Sequence, residues 1–106
     1  GVYIPPMTYW KEIERICRQY DVLLVADEVI CGFGRTGEWF GSQYFGITPD
    51  VMTLAKGITS GYIPLGAAMF NDRVAGVLKH QGGELAHGCT YSGHPVCTAV
   101  ALENIR

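Results

Sequence analysis

The chain has 106 residues, enough for one domain with a buried core, and its net charge is −2. This charge and the lack of a lysine/arginine cluster argue against nucleic acid or an anionic membrane as a partner, and no apolar run could span a bilayer. Only 17% of the residues are charged, against roughly 25% in typical soluble domains. We therefore expect other protein to cover much of the surface, and we interpret residues 1–106 as a fragment.

Helical patterns occur in three places along the chain. Thr8 precedes apolar residues at helical spacing, which predicts a capped helix over 9–19. A short helix is expected over 72–80, and Pro95 suits the first turn of another helix.

Apolar runs between these helices predict strands. The runs at 22–26 and 51–55 are continuous, which is typical of strands buried on both faces, and 66–70 is a third strand candidate. Alternating helices and strands indicate an α/β fold with a mostly parallel sheet and flanking helices.

A glycine-rich loop follows the first predicted strand, and Gly32, Gly34 and Gly37 spell the G-x-G-x-x-G pattern of dinucleotide-binding proteins. That fingerprint needs its first glycine at the strand end and its last glycine opening a helix. Here residues 27–31 intervene, glycines and aromatic residues interrupt the segment after Gly37, and the next strand ends in Lys56 instead of an acid. The loop therefore favours turns with positive φ over a nucleotide-dependent oxidoreductase.

Asp27 and Lys56 each follow a predicted strand, at the sheet edge where α/β proteins bind ligands. If the strands are neighbours, their ends lie about 4.8 Å apart, the scale of one aromatic ring. A buried acid and a buried lysine across such a gap suit pyridoxal phosphate, because lysine forms a Schiff base with the aldehyde and the acid pairs with the pyridine nitrogen. The spacing alone favours a structural salt bridge between the two.

A longer set of motifs bears on the choice between a pyridoxal-phosphate site and a structural salt bridge. D-E-V, G-F-G-R-T-G, P-D and A-K-G follow one another within residues 23–67, and T-Y-S-G-H-P lies within residues 87–96. In this order they resemble the class III (omega-type) aminotransferases, which are fold-type I pyridoxal-phosphate enzymes. The resemblance covers nearly the whole chain and implies that residues 1–106 are a fragment of the cofactor-binding large domain.

The resemblance also implies roles for single residues. Lys56 would be the catalytic Schiff-base lysine, and Asp27 the partner of the pyridine nitrogen. Val29 would pack on one face of the ring. Thr90 would reach the cofactor phosphate of the neighbouring subunit in a homodimer, and the loop glycines would be architectural.

The resemblance implies transamination between a primary amine or omega-amino acid and a keto acid such as pyruvate. The segments GEWFGS and HGCTYSGHP are similar in sequence to those of family members that use diamines or other terminal amines. An aminomutase or decarboxylase of the same fold, or a non-catalytic fragment, are the alternatives. The family's upstream phosphate loop, ring-stacking aromatic and small domain are missing, and Cys89 replaces a larger residue, so we expect the isolated chain to be inactive.

Cysteines and histidines could indicate disulfides or a metal, but their spacing does not. None of the four cysteines forms a C-x-x-C pair, which predicts unpaired thiols and a cytoplasmic protein. Zinc spacing is also missing from the three histidines, so we expect no metal site; they are His80, His87 and His94.

Overall fold

The computed structural model describes residues 2–106. Its elements are, in order, α1 (Tyr9–Gln19), β1 (Val25–Asp27), α2 (Gly41–Phe45), β2 (Val51–Leu54), a 3₁₀ helix (Lys56–Thr59), β3 (Ala67–Phe70), α3 (Asp72–His80) and α4 (Pro95–Asn104). The predicted bounds of α1 and α3 are confirmed, and Pro95 does stand in the first turn of α4. No described helix is both long and apolar enough to cross a membrane.

The three strands form one sheet in the order β1-β2-β3. β1 and β2 are parallel, with Asp27 opposite Thr53, whereas β2 and β3 are antiparallel, with Leu54 opposite Ala67. The turn back to β3 uses the 3₁₀ helix and a loop instead of a crossover α-helix, and this suits an antiparallel return. The predicted α/β class is confirmed, and within residues 2–106 the sheet is mixed.

The first strand is less buried than its apolar run predicts. Leu24 is 5% exposed, but Val25 is 55% exposed, so the expectation of burial on both faces is wrong for the described chain. Successive residues of a strand point to opposite faces, and only one of these faces is covered here.

The predicted cap at Thr8 is also wrong. Thr8 has helical dihedral angles and its side chain makes no capping hydrogen bond, whereas an N-cap residue needs extended backbone. A side-chain cap occurs instead at α3, where the Asn71 side chain accepts a hydrogen bond from the Val74 N–H.

The apolar core lies between β2, the 3₁₀ helix and α4. Its buried members are Leu54, Ile58 and Ala101, and partly buried aromatic and aliphatic side chains pack around them. This core joins α4, near the end of the chain, to the short helix that begins at Lys56.

A buried carboxylate, that of Asp50, links several elements at the amino end of β2. Asp50 is 1% exposed and accepts hydrogen bonds from the Leu24 N–H at 2.8 Å, from Arg18 at 2.7 Å and from the Asn71 amide at 2.9 Å. Burial raises the pKa of Asp50, but these three donors outweigh it and hold the pKa below its ordinary value. Asp50 thereby connects α1, both parallel strands and the start of α3.

Candidate active site

Lys56 begins the 3₁₀ helix directly beyond the carboxyl end of β2. Its φ is +46°, a left-handed conformation that is uncommon for residues other than glycine. Within residues 2–106 its ammonium group forms no ion pair, and the residue is exposed.

Asp27 is the last residue of β1, on the strand next to the one that leads to Lys56. Its Oδ1 accepts hydrogen bonds from the Thr53 hydroxyl at 3.2 Å and from the Val29 N–H at 3.1 Å. The predicted neighbouring strand ends are therefore present, and two donors orient the carboxylate.

Two sequence-based expectations about this pair are corrected. Asp27 and Lys56 are exposed in the described chain, although both were expected to be buried. The structural salt bridge considered from their spacing is not formed among residues 2–106. The reason is geometric: Asp27 pairs with Thr53, and Lys56 lies three residues further on, past the point where the chain leaves the sheet.

The buried acid of this edge is Glu28, which sequence reasoning missed. Glu28 is 3% exposed, and its carboxyl group accepts hydrogen bonds from the Gly41 N–H at 2.9 Å and the Ser42 N–H at 2.6 Å. These bonds close residues 28–41 into a compact loop. Strand alternation was the available signal, because it places Glu28 on the opposite face from Asp27.

The contact of Glu28 with the start of α2 also bears on whether the glycine-rich loop binds a dinucleotide. Gly34 and Gly37 have φ of +95° and +92°, so the predicted turns with positive φ are confirmed for them. The first helix after the loop, α2, has five residues, and Glu28 already occupies the N–H groups at its start. A pyrophosphate has no helix N-terminus to bind there, and the dinucleotide interpretation is excluded for this loop.

The loop forms one wall of an open groove of about 950 Å³ around Lys56. The groove is lined by residues 30–39 of the loop, by the 3₁₀ helix and by Asn104. Asp27 instead borders a separate depression of about 250 Å³ between β1 and α2. In this chain the two candidate residues therefore share a sheet edge without sharing a cavity.

Of the two remaining predicted site residues, Val29 lies next to Asp27 and Thr90 lies outside the groove. Val29 is half-buried and adjoins Asp27 through its own N–H. Thr90 stands in an exposed turn outside the groove, close to the hydrogen bond from the Ser92 N–H to the Cys89 carbonyl.

His80 is the last residue of α3, and nowhere in residues 2–106 do three or more potential ligands converge on a metal site. All four cysteines are free thiols.

Comparison with known proteins shows which family the chain belongs to. The sequence profile of Aminotransferase class-III matches residues 1–106. The chain belongs to the class-III aminotransferase family. This confirms the family resemblance of the motifs.

Individual class-III relatives are also close in sequence. The chain is 65% identical over 106 residues to the putrescine–pyruvate aminotransferase of Pseudomonas aeruginosa, covering 100% of this chain and 23% of that protein. It is 52% identical over 108 residues to the diaminobutyrate–2-oxoglutarate transaminase of Halomonas elongata, covering 99% and 23%. The chain thus spans about a quarter of the length of these relatives.

Solved transaminases share the fold of the chain. The structure of a transaminase from the marine bacterium Virgibacillus superposes with a TM-score of 0.95 at 56% identity, over 99% of this chain and 24% of that one. An (S)-enantioselective omega-transaminase from Thermomicrobium roseum gives 0.94 at 53% identity with the same coverage. The described elements therefore match part of the transaminase fold.

Proposed function

We propose that the full-length protein is a pyridoxal-phosphate-dependent aminotransferase that moves an amino group from a primary, terminal amine to a keto acid such as pyruvate. Residues 1–106 would be part of its cofactor-binding large domain. The observation that carries the proposal is the placement of Asp27 and Lys56 at the carboxyl ends of two paired parallel strands, in a chain of the class-III family. The putrescine–pyruvate activity of the Pseudomonas relative supports a diamine donor with pyruvate as acceptor.

The residues present fit pyridoxal phosphate. Both hydrogen bonds to Asp27 reach Oδ1, so Oδ2 accepts none from residues 2–106 and can accept one from a protonated pyridine nitrogen. Lys56 has no anionic partner in the described chain, and its ε-amine can hold the aldehyde through a Schiff base. Lys56 lies three residues beyond Thr53, the register partner of Asp27, so the two groups follow one another along the same edge of the sheet.

When bound, the cofactor supplies an electron sink for the negative charge that develops on the substrate carbon. The negative charge of Asp27 would keep a proton on the pyridine nitrogen, and the hydrogen bonds from Thr53 and Val29 hold the carboxylate in place. Lys56, as a free amine, carries the proton that leaves the substrate carbon. Val29 would pack on one ring face, and Thr90 would donate its hydroxyl to a phosphate.

Assembly and location are part of the same proposal. We expect a homodimer in which Thr90 serves the site of the neighbouring subunit. Large apolar side chains are exposed, such as Tyr62 at 87% and Tyr91 at 80%. Their exposure supports the proposal that other protein packs against them in the assembly. Four free thiols suit the reducing cytoplasm.

The test is to treat the full-length protein and pyridoxal phosphate with borohydride and to map the modified peptide by mass spectrometry. We expect the added mass on Lys56, and alanine formation from pyruvate with putrescine as donor. Carbon dioxide release without alanine would favour a decarboxylase, and an isomerised amino acid would favour an aminomutase. A modification on another lysine would contradict the site.

A further inference from the structure

The side chain of Asn104, the last residue of α4, makes three hydrogen bonds to the segment that follows Lys56. Its Nδ2 donates to the Gly57 carbonyl at 2.9 Å and to the Ile58 carbonyl at 3.2 Å. Its Oδ1 accepts from the Ser60 hydroxyl. One half-buried amide therefore binds three residues of the 3₁₀ helix and its end, across more than 40 residues of sequence.

This segment needs external support because its backbone is unfavourable. Lys56 at its start and Ser60 at its end both have positive φ, +46° and +51°. Such conformations persist in non-glycine residues when the surrounding structure over-determines them. A 3₁₀ helix also leaves carbonyl groups near its end that need donors. Asn104 supplies one to the Ile58 carbonyl and a second one to the Gly57 carbonyl, which also accepts from the Ser60 N–H.

The opposite side of the segment is fixed by packing. A Cβ on Gly57 would lie 3.1 Å from both the Gly32 carbonyl oxygen and the Phe33 Cβ, so the loop already presses against the helix there. Ile58 packs on Ala101 in the core. Asn104 adds the directional restraint that hydrophobic packing lacks, because hydrogen bonds set both distance and angle.

We propose that Asn104 is a positioning residue for Lys56. It holds the 3₁₀ helix in one conformation, and this conformation fixes the direction in which the Lys56 side chain leaves the edge of the sheet. The inference rests on the proposed role of Lys56, and it adds a residue of α4 that acts through the backbone of the 3₁₀ helix. Asn104 acts on the backbone that directly follows the lysine, so its loss affects bond formation at the amine more than the rest of the site.

The experiment uses the full-length apoenzyme and two probes. Stopped-flow absorbance follows covalent attachment of pyridoxal phosphate to Lys56, and calorimetry measures the affinity for pyridoxamine phosphate, which cannot bond to a lysine. Asn104→Asp keeps the acceptor for Ser60 and turns a carboxylate oxygen toward two carbonyl oxygens. We expect attachment to slow about tenfold, the scale of one or two lost hydrogen bonds, with unchanged affinity for pyridoxamine phosphate.

The matched control is Glu103→Gln, because Glu103 is the neighbouring residue of the same helix and pairs with Arg106 at the surface. An Asn104→Asp rate equal to that of Glu103→Gln overturns the inference, as does an equal loss of pyridoxamine phosphate affinity. If Asn104→Asp does not fold, Ser60→Ala decides: slower attachment supports the role and an unchanged rate overturns it. If the unsubstituted protein attaches no cofactor at Lys56, the proposed function itself fails.

Discussion

Thr53 and Asp27 are register partners across β2 and β1, and the Thr53 hydroxyl donates to Asp27 Oδ1 at 3.2 Å. The strand that leads to Lys56 therefore also orients the carboxylate on its neighbour. A single residue couples the two halves of the candidate site.

Replacing Thr53 by valine should lower turnover without unfolding the protein. Valine keeps the branched shape of threonine and removes the donor to Asp27, which is worth about 1 kcal/mol, or severalfold in rate. Steady-state alanine formation measures the effect. Thr48→Val is the control, because the exposed Thr48 bonds to other described residues through its backbone and not through its hydroxyl. Equal activity of the two variants would contradict the coupling.

Asp27→Asn should leave the cofactor bound and reduce turnover on the order of a hundredfold, as loss of a preorganised electrostatic partner does. A neutral amide keeps the shape but no longer holds the proton on the facing nitrogen. Asp72→Asn, at the exposed start of α3, is the comparison for a surface aspartate. Turnover within a few-fold of the unsubstituted protein would rule out the assigned role.

Lys56→Ala and Lys56→Arg should both abolish amino transfer and the visible absorbance of lysine-bound cofactor. Arginine keeps the charge, but its guanidinium stays protonated and cannot form the imine. Single-turnover transfer and absorbance spectra compare the two variants, with Lys79→Arg in α3 as the control. Near-normal transfer by Lys56→Arg would show that the position needs only a cation.

Glu28→Gln should destabilise the protein by about 2 kcal/mol, since an amide group replaces one of two buried acceptor oxygens and faces an N–H donor. Thermal unfolding of the full-length protein measures this loss. Glu38→Gln, an exposed glutamate of the same loop, should leave the midpoint unchanged. Identical midpoints for both variants would mean that the Glu28 contacts do not close the loop.

The stability contributed by Asp50 should vanish in acid. Its pKa is lowered in the folded protein, because the three donors outweigh the raising effect of burial. The contribution is therefore complete above the unfolded value of 3.8 and is lost as pH falls through the lower folded pKa. Urea midpoints between pH 5 and about 2 test this, and Asp50→Asn should flatten the curve. Parallel curves for both proteins would exclude Asp50 as the source.

Local patterns were sufficient for the strands, the three longer helices and two residues of the candidate site, but not for α2 or the 3₁₀ helix. The spacing of apolar residues determined the bounds of α1 and α3, and Pro95 marked the start of α4. The motifs singled out Asp27 and Lys56 at strand ends, where the structure has them. Such signals are readable because they depend on residues within a few positions of one another.

Tertiary structure alone decided which polar groups are buried and what they bind. Glu28 and Asp50 look like ordinary surface acids in the sequence, but donors 13 to 32 residues away make each of them a buried junction. Asn104 reaches the 3₁₀ helix only because α4 folds back onto the core at Ile58. A buried carboxyl or amide is stable only with its partners in place, and those partners meet only when distant segments pack.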